Sequence, residues 1–437
     1  MNKKTIFKFS KNILFLVLLL ISISGRSFTG LTFFNYRLGE LIVGGLFVVS
    51  LILLYFNNKN YKTLQNSFKF LVVVFIFSTV IIKQPIFSEY IIKSSSYIWM
   101  ASLIFVSLVL SNFLPKDSWF FIIYMMIPFL LFFTETINYP NFLKEFFTNY
   151  SDKFDFLKGS DLALVIISAQ IIAILKLKNQ HHIFTYFIFV NSLYLPFLLY
   201  KSKGAFLGAF IFFIFIFFTN ITFTYKNLKN FSTLLLGILI FMISINHVSQ
   251  LNLYGEDTAS SYVEKTTSNL GSIVESKNTS MIFSSFYIQD GRLYSTENNA
   301  NWRLEIWQDV IFNLNKNNLI LTGYGYSSII PEMELPHRQG YDGTNENVHN
   351  FVINILARGG VISLIPYFLF LYFIVKISKK DSKNYLISMY IICVLVISLF
   401  DATNESVRYP FIFYTFLGYF LNNLDKTYKF KLSKQIY

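Results

Sequence analysis

Cysteine is all but missing: the one residue of this type, Cys393, lies inside an apolar run, so no intrachain disulfide can form. Charge is scarce as well. Only 14% of the 437 residues are Asp, Glu, Lys or Arg, against roughly a quarter in ordinary soluble domains. Acids are the scarcer sign, 24 against 37 bases. So little charge cannot clothe a soluble protein of this length, which excludes the about three soluble domains that length alone would allow. The chain also lacks a P-loop, a His-Glu-x-x-His motif, an Asp-x-Asp pair and any His/Cys cluster with metal-ligand spacing. No residues are therefore visible for ATP-driven or zinc-dependent chemistry, or for metal-dependent sugar-nucleotide transfer, and neither a metal nor a cofactor is expected. No internal repeat with a period of about 20 to 50 residues is present either.

What the chain has is apolar surface: 54% hydrophobic residues, 19% aromatic, and a mean hydropathy of +0.49. Apolar runs of bilayer-spanning length recur along it. They lie near 12–25, 39–56, 69–83, 96–114, 119–134, 161–178, 183–200, 204–219, 231–247, 350–375, 384–400 and 411–424. The expected fold is an all-α polytopic membrane protein with about twelve transmembrane helices and one large outer loop containing short helices. The expected parts are transmembrane helices one to seven (1–200), a central domain (201–375) that includes the loop 248–349, and the last helices with a basic tail (376–437).

Lysines crowd both termini: Lys3, Lys4, Lys8 and Lys11 precede the first span, and Lys426, Lys429, Lys431 and Lys434 follow the last. The positive-inside rule puts both ends in the cytoplasm, in agreement with an even number of spans. On that topology the inner segments carry a net +17 and the rest −4, which accounts for the formal +13. The basic excess is then a topogenic signal that also attracts anionic lipid headgroups, and no nucleic-acid partner is expected. The basic stretch before Ile13 and the small residues Ser22-Ile23-Ser24 also suit a cleaved signal peptide; the expectation is that the helix is kept.

Function is expected in the 248–349 loop, the one long departure from short connections. All seven arginines fall on or beside the outer face: Arg26, Arg37, Arg292, Arg303, Arg338, Arg358 and Arg408. The planar fork of arginine grips phosphate at two points, as lysine cannot. Within the loop, 301–312 reads as an amphipathic helix with Leu304, Trp307, Ile311 and Leu314 at helical spacing. Arg303 and Trp307 stand four apart on it, and Trp302 and Trp307 suit the headgroup layer. Gly323-Tyr324-Gly325 follows as a turn. The loop closes with His349-Asn350 at the mouth of an apolar segment that continues into Arg358-Gly359-Gly360. His349 can serve as a base or hold an anionic oxygen, or simply bond a loop carbonyl; His337 competes for the role. In the tight turn Lys201-Ser202-Lys203-Gly204, two cations lie where a lipid phosphate would sit, though snorkelling explains them equally well. A second outer loop, 135–160, is aromatic and reads as a packed cap or a surface-lying segment, the cap being the expectation.

Taken as an ordered set, Arg303-x-x-x-Trp307, Gly323-Tyr324-Gly325, His349-Asn350 and Gly359-Gly360 resemble the shared domain of O-antigen ligases and Wzy-type O-antigen polymerases. Motif support covers about 201–375. The family's Ser-Arg-Gly at the opening helix reads Ser202-Lys203-Gly204 here, a departure that keeps the charge and loses the bidentate grip. The resemblance implies a glycosyltransferase that works without metal or ATP. It would act on the periplasmic face of the bacterial inner membrane, moving a glycan from undecaprenyl diphosphate to a lipid A core hydroxyl (ligase) or to the next repeat unit (polymerase). It further implies Arg303 and Lys203 on the diphosphate, Arg338 and Arg292 as second contacts, and His349 as base or diphosphate ligand. Trp307, Gly323, Gly325, Asn350 and Gly359 would be structural. The single long loop favours the ligase. A polysaccharide transporter is the rival class, disfavoured because the loop divides the chain unequally and few charges lie in mid-span.

Overall fold

The structure, a computed structural model, describes residues 3–55, 61–82, 84, 89–111, 119–136, 139–152, 154, 157–177, 179–219, 228–249, 286–296, 298–338, 345–381 and 385–427. Each of the twelve apolar runs coincides with a helix or a broken helix. These are α1 (Lys3–Thr29), α2 (Leu38–Tyr55), α3 (Lys62–Ile81), the broken set α4 (Glu89–Ser94), α5 (Ser96–Met100) and α6 (Leu103–Ser111), and α7 (Trp119–Thr136). After α8 (Asn141–Tyr150), which lies outside the runs, come α9 (Gly159–Lys176), α10 (Gln180–Lys201), α11 (Lys203–Thr219) and α12 (Leu228–Ser249). The long loop contains α13 (Asn298–Lys316), and α14 (Phe351–Asp381), α15 (Leu386–Ser398) and α16 (Arg408–Thr427) complete the set. Among the described residues, eight helices are long and apolar enough to cross a membrane, and three apolar helices are shorter. The chain is an all-α polytopic membrane protein. Two short hairpins interrupt it: β1 (Thr32–Phe33) with β2 (Tyr36–Arg37), and β3 (Phe286–Gln289) with β4 (Arg292–Ser295).

α9 is the central post, its residues from Gly159 to Ile174 all buried. Small and β-branched residues let neighbours approach closely, and its few polar groups find partners on other helices. Ser168 Oγ lies 2.9 Å from the Tyr390 hydroxyl, and Asn191 Nδ2 donates to Gln170 Oε1 at 3.3 Å. Such pairs join helices where surrounding lipid offers no hydrogen bonds. At its head Asp161 pairs with Arg408 of α16 at 2.5 Å, both side chains buried. By contrast α2 and α12 stand at the rim, exposing Leu41, Val48 and Ile52, and Leu239, Met242 and Ile243.

The run near 96–114 is not a single helix. Ser94, Ser95 and Ser102 turn their hydroxyls onto the carbonyls of Ile91 and Trp99, and Trp99 Nε1 donates to Ser95 Oγ at 2.9 Å. Hydroxyls that compete for backbone partners in this way mark the breaks.

The connections at one end of the bundle touch one another. Asp152 N donates to Gly30 O at 3.0 Å, Gln84 Oε1 accepts from Tyr326 N at 2.8 Å, and Lys93 pairs with Glu346 at 3.2 Å. A Cβ on Gly159 would meet Ser202, and one on Gly204 would meet Phe400. These loops form a single loop face, and the candidate residues gather on it.

Candidate functional site

Glycines bring the backbone of the site together. α14 is kinked at Gly360, whose φ of +61° is costly for any residue with a side chain. The 319–325 segment docks on the kink: Tyr324 N donates to Ala357 O at 2.7 Å, Gly325 N to Arg358 O at 2.8 Å, and Val361 N to Ile320 O at 3.0 Å. A Cβ on Gly323 would lie 2.5 Å from Arg358 backbone atoms, and one on Gly360 2.1 Å from Leu321 O. The two glycine motifs therefore act as one joint that fixes the 319–325 turn against α14.

The stretch before α14 is held from both sides. Asn350 Oδ1 accepts from the backbone N–H groups of Val352 and Ile353, at 3.0 and 3.1 Å, and so caps the helix. Trp307 Nε1 donates to Val348 O at 2.7 Å. Between these anchors His349 takes a φ of +53°, a left-handed conformation uncommon outside glycine. Its ring lies 5.3 Å from the Trp302 ring, and its Nδ1 is 3.9 Å from Asp401 Oδ1. Asp401 is held in turn by Ser160 Oγ at 2.8 Å and by the Ala402 N–H at 2.9 Å. Arg303 Nη1 donates to the carbonyl of Phe400, the residue beside Asp401, while its Nε is buried without a hydrogen-bond partner. Lys203, exposed at the head of α11, adjoins Gly204, which packs on Phe400.

Burial lowers the pKa of His349; the nearby Asp401 carboxylate opposes that, while the charges of Arg303 and Lys158 add to the lowering. The imidazole is thus neutral at pH 7. Burial pushes the Asp401 carboxyl up, but His349, the Lys158 charge and the Ser160 hydroxyl outweigh it and hold the group well below the usual range. A neutral imidazole with a fixed anion at Nδ1 keeps its Nε2 lone pair for a proton.

The structure brings together His349, Arg303, Trp307 and Asn350, and sets Lys203 on the turn whose Gly204 packs on Phe400. It places Arg292, on β4, and Arg338, in the loop after α13, away from His349, both bonded to Asp309 of α13. Lys201 forms a largely buried pair with Glu135. Trp302 and Trp307 contact protein, and the buried stripe of α13 is Ile306, Val310 and Leu314, not the 304/311 edge: Ile311 is exposed. Lys158, Ser160 and Asp401 were absent from the sequence-based expectation. A lysine, serine or aspartate at a span end looks like ordinary interfacial polarity until the fold joins them. The side chain of His337 lies outside the described residues.

A second polar cluster adjoins the first. Buried Arg358 donates to Ser328 O at 2.9 Å and to the Tyr90 hydroxyl at 3.4 Å. Burial, together with Asp401 and Glu346, pushes Glu405 up to about 8 against the opposing charge of Arg358.

Residues 187–368 match the family model described as O-antigen ligase. The match runs from within α10 to within α14, so this part of the polytopic membrane protein is similar to that family. It contains Lys203, Arg303 and His349, whereas Lys158, Ser160 and Asp401 come from outside it. No curated protein matches the chain.

Proposed function

We propose that the chain is an O-antigen ligase that transfers a polysaccharide from undecaprenyl diphosphate to a lipid A core hydroxyl on the periplasmic face of the inner membrane. The observation that carries this is a neutral, carboxylate-backed His349 beside Arg303 and Lys158, with Lys203 on the turn that packs against Phe400. The acceptor oxygen attacks the anomeric carbon and its proton passes to His349 Nε2. The bond from that carbon to the diphosphate oxygen breaks, and its electron pair leaves with the lipid diphosphate. Arg303 and the two lysines stand where that charge grows; preorganised cations at a leaving group are typically a large catalytic contribution. Arg292 and Arg338, occupied by Asp309, serve to hold α13 in position.

Arg303→Ala and His349→Ala should each abolish transfer while the protein stays at wild-type level in the membrane; retained product with both variants overturns the assignment. Lys203→Arg, which restores the family's residue, should be tolerated. A gel of surface glycolipid from cells lacking the gene, run beside extracted lipid-linked glycan, distinguishes the reactions. Unmodified core with long glycan accumulating on the carrier is the ligase outcome. Core bearing a single repeat assigns the chain to polymerisation, and an unchanged pattern in both fractions favours transport.

A further inference from the structure

On the loop face, away from His349, two exposed aromatic segments are tied into one body. The turn joining α1 to α2 is the hairpin pairing Thr32↔Arg37 and Phe33↔Tyr36, with Phe34 and Asn35 at its tip. Phe34 has a φ of +49° and is 97% exposed. A bulky residue in the left-handed region is strained, and among the described residues no packing offsets that strain. α8 presents Phe142, Phe146 and Tyr150, at i, i+4 and i+8 and hence on one face, all exposed; Phe147 alone on this helix is buried. The two segments are joined by Thr32 Oγ1 donating to Tyr150 O at 3.3 Å, by the Leu31↔Ser151 bridge, and by Asp152, which lies within ion-pair distance of both Arg26 and Arg37.

We propose that this hairpin and α8 form a foot seated in the headgroup–acyl boundary of the leaflet on the loop face, with Phe33, Phe34, Tyr36, Phe142, Phe146 and Tyr150 in lipid. The occupant follows from position. The hairpin has only a few residues between two helices of membrane-spanning length and composition, whose exposed apolar sides, Leu16 and Leu20 on α1 and Leu41 on α2, suit lipid, and so short a connection keeps its tip near the bilayer surface. Half-exposed Arg37 and exposed Lys144 suit the phosphate level above the rings.

The test is nitroxide depth measurement on the full chain in nanodiscs of phosphatidylethanolamine and phosphatidylglycerol. Labels go on Phe34→Cys and Phe146→Cys, with Thr148→Cys on the polar side of α8 as reference; buried Cys393 stays unlabelled. Oxygen should relax the labels at 34 and 146 more than a water-soluble nickel chelate does, with the reverse order at 148. Chelate-dominated relaxation at 34 and 146 overturns the proposal, as does exclusion of both reagents there, which would indicate a protein partner or a second copy. The measurement is independent of transfer activity, so it stands or fails apart from the proposed reaction.

Discussion

His349 combines two opposing influences: burial favours its neutral form, and Asp401 favours its protonated one. Burial and the neighbouring cations win, so the pKa lies below the ordinary 6.5. A reaction that needs the neutral ring then has its acid limb below that of a free imidazole and declines as pH falls through that lowered value. Asp401→Asn removes the group that raises the pKa. Its acid limb should shift to lower pH, and the plateau rate should fall as the ring loses its orienting partner. Lys158→Gln removes a cation that lowers the pKa and should shift the limb upward. Rate–pH profiles with purified protein and lipid-linked donor check both, and shifts in the same direction for the two variants contradict the geometry. The sequence showed His349 and Arg303 because each sits in a motif. It hid Asp401, 52 residues further on, because its role exists only once α15 returns to the loop face.

At the scale of elements, glycine motifs that read as loose turns are a fitted joint. Gly360→Ala should destabilise the detergent-solubilised protein by about 1–3 kcal/mol from the positive φ alone, with the clash at Leu321 O adding to it. Gly44→Ala on α2, where a Cβ meets nothing within 4 Å, is the matched control; it should be neutral or slightly stabilising because alanine is the better helix former. Thermal unfolding of both variants reads the difference. α13 shows what periodicity can and cannot specify. Its helical spacing was evident, but its apolar residues cover more than one face, and only contact with Ile330, Met333 and Val348 selects 306/310/314. The breaks between α4, α5 and α6 were hidden for a related reason: serines pass unnoticed inside an apolar run. The loop 135–160 departs from the packed cap expected of it, since Phe142, Phe146 and Tyr150 stand exposed.

For the whole molecule, hydropathy was enough to find all twelve apolar segments, because the bilayer constrains length more tightly than any tertiary contact does. Orientation rests on lysine distribution and can be read directly. Asn35→Cys should react with a membrane-impermeant maleimide added from the side proposed to be periplasmic, and Lys62→Cys only after the membrane is opened; buried Cys393 gives no background. The reverse pattern inverts the topology. The buried Asp161–Arg408 pair joins the central post to the last helix. Removing one partner of such a pair typically costs about 3–5 kcal/mol, so Asp161→Ala should reduce the folded fraction seen by size-exclusion chromatography. Replacing both residues with apolar ones should restore it.

The anchor for the Arg303 guanidinium is the carbonyl of Phe400, a main-chain atom. An alanine scan would therefore pass over position 400, since every substituted residue still offers the same oxygen. What matters there is the spacing of the chain between α15 and α16, so insertions and deletions, to which point mutagenesis is blind, are the changes that would disarm the proposed site.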